Sequence, residues 1–230
     1  GDKEADGKLA SVAEQINKAF ADYKTVDGQL AADMQLDAAK LKERGKEALA
    51  YAALAQKWEA MAGADPKSFK PEQYDSLLAD LVAVKDYVGQ YSNLFLDPDF
   101  DSYTVMDTIT MPLPATFQRM GASERMIFAQ MQFGKPLAAE ETGAIGAFAG
   151  LLEQADAARA VLDMQTAYAE DVNYYTVSDT LKPKTEKDLS AYGDAMAAYV
   201  ASLRGFVKGE PLPADKLFTQ AGAVKGSAFA

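Results

Sequence analysis

Apolar residues recur along most of the chain at intervals of three, four and seven, which is the spacing of one stripe on an α-helix. In the N-terminal part this stripe has the a and d spacing of a heptad and consists of Ile16, Phe20, Tyr23, Leu30, Met34 and Leu41. The spacing resumes in a new phase at Leu54, Trp58 and Met61. We therefore predict one long helix from about Lys8 to Ala62 that contains a stutter. The alternative is a break near Asp27-Gly28 or near Gly45.

A second amphipathic helix is predicted to begin at Pro71, because a proline at the first helical position needs no partner for its missing N–H. Gly63 suits the left-handed position that would end the preceding helix. The apolar stripe of the second helix consists of Tyr74, Leu77, Leu81, Val84, Val88, Tyr91 and Phe95.

The rest of the chain is also predicted to be helical. One helix runs from Ser102 to about Phe133 and is kinked at Met111-Pro112-Leu113-Pro114, where two prolines remove backbone hydrogen bonds. The next spans about Ala139 to Thr180. Thr185-Glu186-Lys187-Asp188 has the pattern of a capping box that starts another helix, and a last short helix follows Pro213. The apolar stripe after the capping box is Leu189, Tyr192, Met196, Tyr199, Leu203 and Phe206.

No segment alternates apolar and polar residues with the β-branched enrichment of a strand, so the predicted fold class is all-α. We expect an elongated antiparallel helical bundle that forms a single domain over residues 1–230. Long helices among short ones favour two stacked four-helix-type bundles that share the helices at about 8–62 and 139–180.

Charge and composition narrow the possible functions. The chain has 23 Lys and Arg against 34 Asp and Glu, a net charge of −11, which would repel nucleic acid and anionic lipid. It has no Cys and no His, which excludes a thiolate nucleophile, a Ser-His-Asp triad, a zinc-finger cluster and an imidazole-held haem. We therefore predict no cofactor and no catalysis. A carboxylate-based enzyme is the remaining catalytic alternative.

The acidic turn before the kinked helix has two interpretations. Its D-x-D-x-D pattern begins like a calcium loop, in which alternate carboxylates converge on one cation. However, the sixth position is Ser102 where the loop needs Gly, and the twelfth is Thr108 where it needs Glu. We therefore predict no metal and a structural turn that caps the following helix. The residues of this turn are Asp97, Pro98, Asp99 and Asp101.

Three further groups of residues could mark a site. The small residues Gly143, Gly146 and Gly150 favour close helix packing within the bundle, or a dimer contact. The pair Tyr174-Tyr175 closes a core or stacks on a ligand. Arg119 and Arg125 follow the proline kink, where a guanidinium either forms a surface ion pair or binds an anion bidentately.

The segment around the acidic turn resembles a known family. It reads Ser92-Asn93-Leu94-Phe95-Leu96-Asp97-Pro98-Asp99-Phe100-Asp101-Ser102-Tyr103-Thr104-Val105-Met106-Asp107 and is followed by Met111-Pro112-Leu113-Pro114. This is similar to the central signature of helical extracytoplasmic sensor domains in bacterial transmembrane receptors. The sequence departs from the family pattern at Thr104, where Tyr is usual. It also departs after Gly121, where Ala122-Ser123-Glu124-Arg125 replaces an expected Leu-Arg-Gly stretch.

The resemblance implies a periplasmic domain of an inner-membrane signalling protein, such as a two-component histidine kinase or a chemoreceptor. The similar classes are the nitrate-sensing and helical bimodular domains. It further implies a homodimer, a preceding helix before Gly1, and contact with the membrane only through flanking helices outside this chain. The expected partner is a small-molecule ligand or a periplasmic protein.

The predicted function is therefore ligand sensing, with binding transmitted as helix displacement. The alternative is a non-catalytic structural or adaptor protein. A cavity is expected at the proline interruption, where packing cannot be continuous. There an amide, a phenol and guanidinium groups would bind an anion, whereas Asp107 would select an amine. The predicted ligand-binding residues are Asn93, Tyr103, Asp107, Arg119 and Arg125. The alternative site lies near Tyr174, Tyr175 and Tyr192.

Overall fold

The structure is a computed structural model that describes residues 3–63, 71–134, 136–174 and 176–229. Within these ranges every regular element is a helix, so the predicted all-α bundle fold is confirmed. The chain divides into an N-terminal unit, Gly1–Leu96, and a C-terminal unit, Asp97–Ala230. The two segments that were predicted to form shared long helices, at about 8–62 and 139–180, therefore lie in different units.

The N-terminal unit contains four described α-helices and two short 3-10 turns, Glu47–Leu49 and Leu94–Leu96. The helices are α1 (Lys3–Leu30), α2 (Ala38–Glu43), α3 (Tyr51–Ala62) and α4 (Pro71–Tyr91). Their apolar stripes meet in one core, as the sequence pattern predicted. Its buried members are Leu36, Leu41, Leu49, Leu54, Met61, Leu77, Val84 and Tyr87.

The prediction of one continuous helix from Lys8 to Ala62 is wrong. The chain turns at Gln35, whose φ is 55°, and Asp37 then caps α2 by accepting hydrogen bonds from the backbone N–H groups of the first turn. A second break follows at Gly45, whose φ of 61° is the left-handed conformation that ends α2. The alternative break at Gly45 is therefore the correct one, whereas Asp27-Gly28 lies inside α1.

A tertiary contact fixes the first of these breaks. The Tyr87 hydroxyl of α4 donates to the backbone carbonyl of Gln35 at 2.8 Å. The Arg44 guanidinium donates to the Tyr87 hydroxyl and to the Gln35 side-chain oxygen, and it lies 3.8 Å from the centroid of the Tyr91 ring. The left-handed backbone at Gln35 is thus tied to α4 by residues that are distant in sequence.

Two details at the ends of α3 and α4 also differ from prediction. Gly63 has a φ of −86°, so it is not left-handed. Helix α4 begins at Pro71 as predicted but ends at Tyr91, and Phe95 lies in the 3-10 turn that follows. The Phe95 ring occupies the space that a Cβ atom at Gly89 would need, which explains the glycine there.

The C-terminal unit contains six described α-helices. They are α5 (Phe100–Thr110), α6 (Pro112–Phe133), α7 (Ala139–Leu151), α8 (Ala158–Glu170), α9 (Leu181–Val207) and α10 (Ala214–Ala228). A π-helical turn, Leu152–Ala157, joins α7 to α8 without a break, so this helical stretch ends at Glu170 and not near Thr180. The core includes Met120, Ile127, Ile145, Leu152, Tyr192, Met196, Tyr199, Leu203, Leu217 and Val224.

The start of α9 corrects the predicted capping box. Thr185 lies inside the helix, and its hydroxyl donates to the carbonyl of Leu181 at 2.6 Å. The hydroxyl of Ser178 instead accepts the N–H groups of Thr180 and Leu181 at 3.2 and 3.0 Å. The buried Asp171 carboxylate in turn accepts the N–H of Ser178 at 2.8 Å. The helix therefore starts one turn earlier than the sequence pattern predicted.

The acidic turn before α5 is closed by its own hydrogen bonds. The Asp97 carboxylate accepts the Asp99 N–H at 3.0 Å and the Ser102 hydroxyl at 2.8 Å. Asp99 occupies the N-cap position, but its side chain makes no capping hydrogen bond. The Asp101 carboxylate accepts the N–H of Ser102 at 2.7 Å. Asp97 is thus the residue that organises the start of α5.

Candidate functional site

A cavity of about 210 Å³ lies in the C-terminal unit where α5 gives way to α6. The helix is interrupted at Met111 because Pro112 and Pro114 supply no N–H, which confirms the predicted interruption. Residues from α5, α6, α8, α9 and α10 surround the space, which is partly open to solvent. The lining consists of Val105, Thr108, Ile109, Leu113, Ala160, Met164, Leu181, Thr185, Asp188, Leu189, Tyr192, Ser227 and Ala228.

This cavity is mainly apolar, which distinguishes it from two larger depressions of about 560 and 370 Å³ in the same unit. Those two are wider and more open, and they lie beside the turns near Gly134 and Gly209. A further groove of about 390 Å³ lies in the N-terminal unit beside Phe20 and Tyr23. The 210 Å³ cavity combines an apolar lining with a few polar groups, the usual character of a small-molecule site.

The hydroxyl groups of the lining are already engaged as donors. Thr108 donates to the carbonyl of Thr104 at 3.0 Å, and Ser227 donates to the carbonyl of Ala223 at 2.9 Å. Such bonds to the preceding turn satisfy the hydroxyl proton and leave oxygen lone pairs that can still accept. The lining therefore offers acceptors more readily than donors.

Tyr192 connects the cavity to a buried polar group. Its hydroxyl lies 3.2 Å from the Thr116 hydroxyl of α6, and both residues are buried. Burial raises the pKa of the Tyr192 phenol, the Thr116 hydrogen bond lowers it, and the charge of Asp156 raises it. Because Tyr192 was a residue of the alternative predicted site, the structure places part of that alternative on the cavity wall.

Asp156 lies in the π-helical turn and is paired with Arg119 of α6. The Arg119 guanidinium donates to the Asp156 carboxylate, whose side chain is only 6% exposed. Burial raises the pKa of Asp156, and the hydrogen bond and charge of Arg119 oppose that rise. Arg119 is thus occupied by an internal ion pair and does not line the cavity.

A second ion pair joins α5 to α8. Arg159 donates from Nε and from a terminal nitrogen to the two oxygens of Asp107, both at 2.6 Å. The Asp107 side chain is 9% exposed and that of Arg159 is 48% exposed. Asp163, one turn further along α8, lies 3.5 Å from Arg159 Nε and is 17% exposed. One guanidinium therefore faces two carboxyl groups.

The second carboxyl of this cluster has an altered acidity. Burial raises the pKa of Asp163 to about 6, and the hydrogen bond and negative charge of Asp107 add to the rise against the opposing charge of Arg159. A carboxyl group that shares its surroundings with an ionised neighbour favours its protonated form. In the folded protein, Asp163 therefore changes its protonation state at mildly acidic pH.

We expect the effect of Asp163→Asn on the free energy of unfolding to be more stabilising at pH 7 than at pH 4, by roughly 1 to 2 kcal/mol. The folded-state pKa is raised above the usual value of 3.8, so the folded protein binds the extra proton between about pH 4 and 6. The contribution of Asp163 to stability is therefore greatest below pH 4 and is lost as the pH rises to 6. Urea unfolding of both proteins across this range measures the difference.

Asp194→Asn is the matched control, because Asp194 is an exposed aspartate of the same unit. Its effect should be the same at pH 4 and pH 7. The raised pKa of Asp163 would be contradicted if the difference in unfolding free energy between Asp163→Asn and the wild type were the same at pH 4 and pH 7.

The structure does not bring the five predicted ligand-binding residues together on the cavity. Asn93 belongs to the N-terminal unit, where its φ of 61° places it in the turn after α4. Tyr103 stacks near Phe100, with ring centroids 6.4 Å apart. Arg125 lies on α6. None of these side chains, nor Asp107 or Arg119, belongs to the cavity lining.

Sequence reasoning missed Asp156, Arg159, Asp163 and Asp188. A signal for three of them was present, since Asp156, Arg159 and Asp163 are three and four residues apart and so share one face of a helix. Asp188 was predicted to belong to the capping box, whereas the structure places it on α9 in the cavity lining. Of the remaining candidates, Gly146 packs near Val207, Tyr174 ends a 3-10 turn, and Tyr175 lies outside the described residues.

Comparisons with known proteins do not identify a family. No family model matches the chain, and no curated protein or solved structure is detectably similar to it. The resemblance to extracytoplasmic sensor domains thus rests on the segment around Asp97 and stays a prediction. Within the described ranges, no helix has both the length and the apolar character of a membrane span, and no group of three or more acidic residues is placed to hold a metal ion.

Proposed function

We propose that this chain is the extracytoplasmic ligand-sensing domain of a transmembrane signalling receptor. The observation that carries the proposal is the 210 Å³ apolar cavity at the interruption between α5 and α6. Five helices contribute to its wall, so one bound molecule contacts side chains of all five. A ligand that prefers one arrangement of these helices shifts the protein toward it.

The position of the cavity suits the transmission of a signal. Helices that are packed as units respond to a ligand by shifts of one or two ångströms, and such shifts are a known means of allosteric coupling. The interruption at Met111 separates α5 from α6, so movement of one does not require unwinding of the other. Location in the periplasm, a homodimeric state and attachment through flanking membrane helices are parts of the same proposal, supported by the family resemblance.

The proposal assigns no catalysis to the chain. The carboxyl group whose pKa is raised most clearly toward neutrality, Asp163, lies in the cluster with Asp107 and Arg159 and does not line the cavity. An enzyme that used this carboxyl would need a substrate site beside it. The acidity of Asp163 is explained by burial and by its neighbours alone.

The proposal is tested by thermal unfolding in the presence of organic acids, amines, purines and inorganic anions. A compound at about one hundred times its Kd stabilises the folded state by about 2.7 kcal/mol and raises the melting temperature. We expect at least one compound to do so. Val105→Phe, which places a ring in the cavity, should abolish that increase. The ligand-induced increase in melting temperature is compared within each variant, so a change in intrinsic stability does not confuse the result.

Val172→Phe provides the matched control, because Val172 is an exposed residue of the same unit and receives the same change. It should respond to ligand as the wild type does. If no compound stabilises the wild type, or if Val105→Phe leaves every increase intact, the cavity is not a sensing site. A structural or adaptor role would then be the better interpretation.

A further inference from the structure

We infer that the cavity between α5, α6, α8, α9 and α10 binds an organic amine, that is, a protonated amino group attached to a small apolar body. This inference rests on the proposed function and specifies the chemical class of its ligand. The sequence left the sign of the ligand open between an anion, bound by arginine, and an amine, selected by a carboxylate. The lining of the cavity favours the second.

The arginines near the interruption are not available to an anion in this cavity. Arg119 is paired with the buried Asp156, and Arg159 is bound through two nitrogens to Asp107. Neither guanidinium belongs to the lining, and none of the lining residues that the structure describes is a lysine. An anionic ligand would therefore lose its hydration without gaining a cationic partner, which is costly in a mainly apolar space.

The neutral polar groups of the lining also favour a ligand that donates hydrogen bonds. The hydroxyls of Thr108, Thr185 and Ser227 donate to backbone carbonyls of their own helices. The N–H of Leu181, at the start of α9, donates to Ser178. Tyr192 and Thr116 share one hydrogen bond, which leaves at most one hydroxyl proton for a ligand. The few polar groups of the described lining thus have their hydroxyl protons engaged and offer a ligand lone pairs more readily than donors.

Asp188 supplies the charge that an amine would need. Among the described lining residues it is the one that carries a charge, and it is half-buried on α9. Within the described part of the structure its carboxylate makes no hydrogen bond or ion pair. A partly buried carboxylate without a partner gains most from a cation that also donates hydrogen bonds, which is the description of an ammonium group.

The volume of the cavity limits the apolar body of the ligand. A space of about 210 Å³ is somewhat larger than the roughly 150 Å³ of an apolar protein cavity that binds benzene. One aromatic ring with a short side chain is of this size. Val105, Ile109, Leu113 and Leu189 would contact the ring while Asp188 contacts the head group.

Three probes of matched shape test the inference: benzylamine, benzyl alcohol and benzoate. They share one ring and carry a positive, a neutral and a negative head group. Titration calorimetry on the intact chain at pH 7 is expected to rank their affinities in that order, with benzylamine at least tenfold tighter than benzyl alcohol. Asp188→Asn should reduce benzylamine affinity to that of benzyl alcohol and leave benzyl alcohol unchanged. Asp188→Glu, which keeps the charge, should keep the preference for the amine.

Asp194→Asn is the control for charge, because it removes an exposed carboxylate from the same helix without altering the cavity. It should preserve the tenfold preference. Equal affinity for benzylamine and benzyl alcohol, or tightest binding of benzoate, overturns the amine inference. In either case, if Val105→Phe abolishes the binding of these probes, the result still supports a sensing site in the cavity. Absence of saturable binding for all three probes also overturns the amine inference. The proposed function is overturned by a different result, namely that no compound of the broader screen raises the melting temperature in a way that Val105→Phe abolishes.

Discussion

Arg119→Ala is expected to lower the free energy of unfolding by about 3 kcal/mol at pH 7, because it leaves the Asp156 carboxylate buried without its partner. Burial already raises the pKa of Asp156, and the hydrogen bond and charge of Arg119 are what oppose the rise. Without the guanidinium the folded-state pKa of Asp156 increases further. The loss of stability should therefore be larger at pH 8 than at pH 5, where the carboxyl can take up a proton.

Two further variants separate the charge from the packing of the Arg119 side chain. Arg119→Ala combined with Asp156→Asn removes the unpaired charge and should recover more than 1 kcal/mol of the loss, as measured by urea unfolding. Arg204→Ala is the control, because Arg204 also pairs with a carboxylate, that of Glu153, but both of these side chains are exposed. Its effect should be small. Equal losses in Arg119→Ala and Arg204→Ala would contradict the importance of burial.

This expectation changes the role that the sequence assigned to Arg119. From the sequence, Arg119 was predicted to bind the ligand, with a surface ion pair as the alternative role of its guanidinium. The partner is Asp156, which lies in the π-helical turn of another helix. A single sequence indicates which residues are charged, but it does not indicate which helices bring them together.

The fold was predictable where local spacing determines it. The stripe of α9 is an example, since Tyr192, Met196, Tyr199 and Leu203 are all buried as predicted. The interruption at Met111 was predictable for a similar reason, because proline acts on its own neighbourhood. The break at Gln35 was not, because its left-handed backbone depends on hydrogen bonds with distant residues.

The candidate site shows the same limit. The sequence predicted a cavity at the proline interruption, and the structure has one there, but most of its wall comes from α8, α9 and α10. The predicted ligand-binding residues lie on the segments that flank the acidic turn and follow the proline kink, which were expected to converge at the interruption. The cavity is instead assembled by packing between helices that are far apart in the chain, so its charged residue, Asp188, had no local signal of its role.

Tyr199→Ala is expected to lower the free energy of unfolding by about 4 kcal/mol, because the ring fills the centre of the C-terminal core and its loss leaves a cavity. Tyr199 is 0% exposed and is the largest of the fully buried side chains. Its neighbours in the core include Met120, Ile127 and Leu203. Chemical unfolding of the intact chain measures the loss, with intrinsic fluorescence and circular dichroism as independent probes.

Tyr199→Phe separates the ring from the hydroxyl. The hydroxyl lies 3.4 Å from both the carbonyl of Met120 and a carboxylate oxygen of Glu124, which is long for a strong hydrogen bond. Removing it should cost no more than about 1 kcal/mol. Leu162→Ala, at an exposed position on α8, should change stability by less than about 0.5 kcal/mol. If Tyr199→Phe were as destabilising as Tyr199→Ala, the hydroxyl and its contact with Glu124 would be the stabilising feature, because the ring would then contribute little.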